Sequence, residues 1–313
     1  MVRPSVLVVL SSTLVLAGCL GAPSTPAATR TDRAAASVTA ATTSTGARRL
    51  TLVRRNDYLL APVTIDGNPA GEFLVDTGAG ATFIDHAFAD ELRLPKVLEA
   101  NVQGALFTDS AEIRELHRLS AGGIELVAAP TVAIDLTDVR ANLGDGLTGV
   151  IGFPTFGAVP FTVDFVDATL TVHDPSRFVA PAGVASELVR VNQVPYVEAT
   201  IENHVEVWLQ LDTGSVFGVT LWREFVKAHP DVLTVPQKRW VQTTGIGGGA
   251  QVMESEIRSV HVLGRDYSKV PVIIQDAPPQ GWRHPRVAGR VGLQLLKDRR
   301  VTLHPVTRRI WVE

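Results

Sequence analysis

Phe73-Leu74-Val75-Asp76-Thr77-Gly78 returns 136 residues later as Leu209-Gln210-Leu211-Asp212-Thr213-Gly214. Each stretch is an apolar run that ends on an acid and is followed by Thr-Gly. An acid at the end of a buried strand is costly unless something exploits it. The glycine permits a tight turn and close backbone approach. The threonine hydroxyl can bond to backbone in the opposite copy and hold the two turns together.

The repeat extends outward from these two stretches. Thr64-Ile65-Asp66-Gly67-Asn68 precedes Thr200-Ile201-Glu202-Asn203-His204 by the same 136 residues, and near the end of each copy the offset becomes 140. There Ile151-Gly152 meets Val291-Gly292, Phe161-Thr162-Val163 meets Val301-Thr302-Leu303, and Leu170-Thr171-Val172 meets Ile310-Trp311-Val312. Two copies at a long period indicate duplicated lobes rather than a solenoid. The join falls near Pro175–Gly183, which gives lobes at 50–178 and 179–313.

Each copy reads as mostly β. Leu59–Asp66 and Tyr196–Glu202 are apolar-rich strands, with hairpin turns at Gly67-Asn68 and Asn203-His204. Glu72–Asp76 and Val207–Asp212 are near-continuous apolar runs and should be buried on both faces. Short helices are expected after Asp85, over about Leu221–Ala228, and just after Gly152 and Gly292.

The N-terminus reads differently. Arg3 precedes a short apolar run, Val6–Val15, that ends in Leu16-Ala17-Gly18-Cys19. This resembles a bacterial lipoprotein signal, with residues 1–18 as signal peptide and Cys19 as the lipidated residue. Cys19 is the only cysteine of the chain, so no internal disulfide can form. From Gly21 to about Ala47 the composition is Ala, Thr, Ser, Pro and Gly without apolar period, which reads as a tether within 19–49. The expected location is the cell envelope, anchored by lipid, and facing the periplasm from the outer membrane where a host has two membranes.

The formal net charge of −3 over 313 residues gives no electrostatic argument for nucleic acid. The eight histidines show no metal-ligand spacing, so no metal or cofactor is expected.

With these motifs in hand, the chain resembles the aspartic peptidase superfamily. Asp76-Thr77-Gly78-Ala79 and Asp212-Thr213-Gly214-Ser215 match its active-site loops. Val150-Ile151-Gly152 and Arg290-Val291-Gly292 match the later element that threads beside each loop, although Arg290 departs from an apolar pair. The resemblance spans about Leu50 to Glu313. It implies an all-β fold of two homologous β-barrel lobes with an active-site cleft between them. It also implies one catalytic aspartate from each lobe, Asp76 and Asp212, with Thr77, Gly78, Ala79, Thr213, Gly214 and Ser215 supporting the loops. Peptide or protein is the implied substrate. One chain supplies both halves of the site, so a monomer suffices.

Gly245-Ile246-Gly247-Gly248-Gly249 resembles the glycine-rich flap of retroviral proteases, although a plain surface hairpin is the alternative. The matching first-lobe region is near Gly104–Ala111, where Phe107 stands in for the flap tyrosine of pepsins. Ser215 is expected to offer its hydroxyl to Asp212, whereas Ala79 has no donor for Asp76. That difference predicts a working range in mild acid, because a carboxylate without a donor is harder to ionise. The rival function is a catalytically silent peptide-binding or envelope-structural lipoprotein on the same fold.

Overall fold

The computed structural model describes residues 7–9, 13–15, 41–42, 46–103, 108–126, 131–157, 159–245, 248–276 and 284–313. The fold is all-β, with short helices at the ends of a few strands.

Each half begins with a hairpin. Tyr58–Ile65 pairs antiparallel with Asn68–Asp76, and Val194–Ile201 pairs with Val205–Leu211. Ile65 lies opposite Asn68, so the first turn is Asp66-Gly67, one residue earlier than expected. Both turn residues have positive φ, 50° and 81°, which a two-residue turn matched to the strand twist requires. The second turn carries Glu202 and Asn203 at φ 52° and 62°. Ile201 lies opposite Val205, so the second loop has three residues, Glu202, Asn203 and His204, and includes the expected Asn203-His204.

The strand carrying Asp76 next takes a parallel neighbour, Leu147–Gly152, with Val75 opposite Ile151 and Asp76 opposite Gly152. The other edge of Leu147–Gly152 pairs antiparallel with Thr82–Asp85, which runs parallel to Thr131–Ile134. The second half repeats this order. Val205–Leu211 lies parallel to Val287–Val291, which pairs antiparallel with Val219–Trp222, itself parallel to Arg265–Gln275. Strands buried on both faces need continuous apolar runs. Phe73, Leu74 and Val75 supply one, and all three are buried.

In the second half Val260–Val262, the end of the long strand Gly248–Val262, pairs back onto Ala199–Ile201 and closes the strands into a ring. Its first-half counterpart is broken into Thr108–Arg114 and Leu119–Ala121, and the latter pairs with Val63–Ile65.

A shared sheet joins the halves at their base. Phe161–Asp164 lies antiparallel to Arg300–His304, with Thr162 opposite Thr302. These residues are 140 apart, and their hydroxyls meet at 2.8 Å. Equivalent residues of the two copies thus face each other across a pseudo-two-fold axis. Thr169–Val172 and Arg48–Thr51 extend the sheet on one side, Arg309–Val312 and Ser186–Val191 on the other.

The helices His86–Glu91, Arg223–Ala228 and Leu293–Leu296, and the 3₁₀ turn Phe153–Phe156, fall where the sequence placed helices. Thr137–Leu143 and Pro230–Val232 were not anticipated. They are too short to show a period.

At the N-terminus, Leu7–Val9 runs parallel to Thr243–Gly245, and Thr13–Val15 runs antiparallel to Asn101–Gln103. Cys19 lies outside the described residues. Among those described, no helix is long and apolar enough to cross a membrane.

Candidate active site

The two Asp-Thr-Gly loops meet at the junction of the halves. Thr77 N–H donates to Thr213 Oγ1 at 2.9 Å, and Thr213 N–H donates to Thr77 Oγ1 at 3.2 Å. Each hydroxyl in turn donates to a carbonyl beside the opposite aspartate, Thr77 to Leu211 at 2.7 Å and Thr213 to Val75 at 2.8 Å. Four reciprocal bonds therefore lock the loops back to back. A fifth is not reciprocal, for Gln210 Nε2 donates to Gly78 O at 2.8 Å.

Local bonds set each carboxylate within its loop. Gly78 N–H donates to Asp76 Oδ1 at 2.7 Å, and Gly214 N–H to Asp212 Oδ1 at 3.0 Å. The loops approach so closely that a Cβ on Gly78 would sit 2.5 Å from Asp212 Cγ. Any larger residue there would push the second carboxylate away. The threading elements fasten the loops from behind. Phe153 N–H donates to Ala79 O at 3.0 Å, and Leu293 N–H to Ser215 O at 2.7 Å. Both aspartates are buried.

Their electrostatics are not symmetric. Burial, followed by the charge of Asp212, pushes the Asp76 carboxyl well above its usual range, against opposing pulls from Gly78 N–H and the more distant Arg290. Burial also raises Asp212, but Arg290 opposes it through both charge and hydrogen bond, with further help from Gly214 N–H.

Arg290 is the residue that the sequence noted only as a departure from pattern. Its Nη1 lies 3.1 Å from Asp212 Oδ2, and both side chains are 0% exposed. The guanidinium carbon stands 4.8 Å from the Trp222 ring centroid, a stacking that partly offsets the loss of water. Arg290 belongs to a polar layer under the second loop. Around it in register stand Gln210 and Thr220, with Tyr196 opposite Gln210, and all are buried. The same register in the first half is wholly apolar: Val150, Leu74, Phe83 and Leu60. Aligning the two copies in sequence would have exposed this change from apolar to polar.

Ser215 corrects an expectation. Its buried Oγ has no hydrogen-bond partner among the described residues, and Asp212 draws its donors from Gly214 and Arg290 instead. The hydroxyl stands on a loop whose backbone is already committed, since Ser215 N–H donates to Asp212 O at 3.3 Å and Ser215 O accepts from Leu293. Ala79, the matching residue, is buried with an equivalent backbone pattern.

Two hairpins stand in equivalent positions in the two halves. Val235–Gly245 pairs with Gly248–Val262, placing Gly245 opposite Gly248 and Thr244 opposite Gly249. Ile246 and Gly247, at its tip, lie outside the described residues. The first-half hairpin pairs Lys96–Gln103 with Thr108–Arg114, and Phe107 at its tip is likewise outside them. Among the described residues no group of His, Cys, Asp or Glu is arranged to hold a metal ion.

Comparison with known protein families finds a match in the first half of the chain. Residues 61–155 match the family model of aspartyl proteases, a stretch that carries Asp76-Thr77-Gly78 and Val150-Ile151-Gly152 but not the second copy. No curated protein matches the chain in sequence. Among solved structures, the chain is similar to basic 7S globulin from soybean, at 13% identity and a TM-score of 0.49. That similarity covers 84% of this chain and 94% of the globulin.

Proposed function

We propose that the chain is an aspartic endopeptidase whose catalytic pair is Asp76 and Asp212. The observation that carries this reading is the interlock of two Asp-Thr-Gly loops through Thr77 and Thr213, which holds two buried carboxylates together. Like charges so close cannot both ionise easily, so such a pair shares one proton over a range of pH; the dyad of aspartic proteases is the standard case.

The chemistry follows from that shared proton. The ionised carboxylate takes a proton from water as the water oxygen bonds to the peptide carbonyl carbon. The protonated carboxyl gives its proton to the carbonyl oxygen, forming a tetrahedral diol. Collapse of the diol breaks the C–N bond, re-forms a carbonyl, and returns a proton to the leaving amine. No covalent enzyme intermediate, metal or cofactor enters this reading. The protein acts as a monomer on peptide or protein, held at the cell envelope through Cys19.

One observation favours a second reading, a silent peptide-binding module. A buried arginine paired with Asp212 could keep that carboxylate from serving as a base. Incubating the protein, freed of residues 1–18, with a peptide library separates the readings. Pepstatin-sensitive cleavage supports the peptidase, whereas peptide binding without cleavage from about pH 3 to about pH 8 supports the silent module.

A further inference from the structure

Two loops related by a pseudo-two-fold axis give a shared proton no reason to prefer one carboxyl. Among the donors to the two carboxyls, that symmetry is broken at Arg290. Asp212 accepts two donors, Gly214 N–H on Oδ1 and the Arg290 guanidinium on Oδ2. Asp76 accepts Gly78 N–H on Oδ1, and its buried Oδ2 meets no donor among the described residues. The first-half counterpart of Arg290 is Val150, which can offer nothing.

We propose that Arg290 is a positioning residue that seats the shared proton on Asp76 and keeps Asp212 as the ionised partner. This rests on the peptidase reading for its consequence: Asp212 takes the proton from water, and Asp76 supplies the proton to the carbonyl oxygen.

The burial of Arg290 makes the assignment strong. A charged hydrogen bond at 3.1 Å between groups that are both 0% exposed is little screened by salt or solvent. The remaining contacts of Arg290 leave it committed to Asp212. The Trp222 face stacks on it without accepting its charge, and Gln210 and Thr220, in register with it, are uncharged. The titratable groups that sense it are Asp76, Asp212 and Tyr196. Burial raises the Tyr196 hydroxyl, so it stays neutral and does not compete. The raised affinity of Asp76 for its proton points the same way.

A cation beside the pair makes both carboxyls bind protons less readily, and Asp212, in direct contact, feels it most. In Arg290→Met the cation is gone, so both limbs of the pH–rate profile should move towards alkali. The acid limb, which reports protonation of Asp212, should move further, by roughly one to two pH units. Arg290→Lys should restore part of the shift. An acid limb that stays in place in Arg290→Met, with the variant folded, would overturn the proposal.

A second measurement does not depend on turnover or on the folding of that variant. Aspartate carboxyl carbons are labelled with carbon-13 in the wild-type protein, and spectra are recorded near pH 5. The two signals of the pair are assigned by their loss in Asp76→Asn and Asp212→Asn. The expected result is a protonated carboxyl at Asp76 and an ionised one at Asp212. The reverse seating, or two equivalent signals, would overturn the proposal even if cleavage is found. Absence of cleavage with the expected seating would sink the peptidase reading and leave the role of Arg290 in place.

Discussion

Thr77 and Thr213 each accept the other's backbone N–H on the side-chain hydroxyl, and each hydroxyl then reaches past the other to a carbonyl next to the opposite aspartate. The pair is both the bolt between the loops and the reason that two carboxylates from distant parts of the chain share one site. Replacing either threonine by valine keeps the shape but strands Val75 O or Leu211 O, together with an N–H, in a buried place. Each such variant should lose about 1–3 kcal/mol of stability. Urea unfolding measures this; a midpoint equal to wild type would show that the bolt does not hold the halves.

The raised affinity of Asp76 for its proton gives a stability prediction with a definite sign. A carboxyl whose folded-state value lies above its ordinary 3.8 binds more protons folded than unfolded. Its contribution is fully present below 3.8 and is lost as pH rises through the raised folded value. Asp76→Asn carries no such group, so its stability relative to wild type should improve with rising pH above about 4, by at most about 1.4 kcal/mol per pH unit. Urea unfolding of both proteins from acid to neutral pH checks this. A stability difference, variant minus wild type, that stays constant with pH or falls as pH rises would refute it.

Ser215 should not set the working pH. Among the described residues its buried hydroxyl has no hydrogen-bond partner, so removing it deletes no bond to Asp212. Ser215→Ala should leave the pH–rate profile of peptide hydrolysis where it is, and its stability within about 1 kcal/mol of wild type. An acid limb displaced in this variant would restore the hydroxyl to the role that the sequence suggested.

Much of this architecture was legible because the chain repeats itself. The offset of 136 places Thr77 against Thr213, and the offset of 140 places Thr162 against Thr302, which are the contacts seen across the axis. The apolar runs before Asp76 and Asp212 read as buried strands, because parallel neighbours cover both faces. The first hairpin turn was misplaced by one residue and the second loop proved one residue longer than expected, since an apolar pattern fixes which residues are buried but not where the ladder closes. Arg290 was harder to read. Burying a guanidinium is unfavourable unless a partner waits, and that partner, Asp212, is 78 residues away in sequence. Local spacing could not join them. The clue lay in the change from Leu60, Leu74, Phe83 and Val150 to Tyr196, Gln210, Thr220 and Arg290, visible only when the copies are laid side by side.

Lipid attachment at Cys19 is a proposal that fractionation tests. Wild-type protein expressed in bacteria should sediment with membranes, and Cys19→Ser should appear in the soluble fraction. Acyl chains bury about 0.8 kcal/mol per CH₂, so several of them leave little protein free. Wild-type protein found soluble to the same extent as the variant would remove the anchor from the account.

The central claim is that Asp76 and Asp212 act as one catalytic pair. The direct test is single-turnover and steady-state cleavage of a peptide substrate by wild type, Asp76→Asn, Asp212→Asn and the double variant, each first shown to be folded. The expected result is pepstatin-sensitive cleavage by wild type and a loss of at least about 10³-fold in each single variant, with no further loss in the double, since residues that act as a unit are not additive. Cleavage that survives either single substitution at near wild-type rate would contradict the claim.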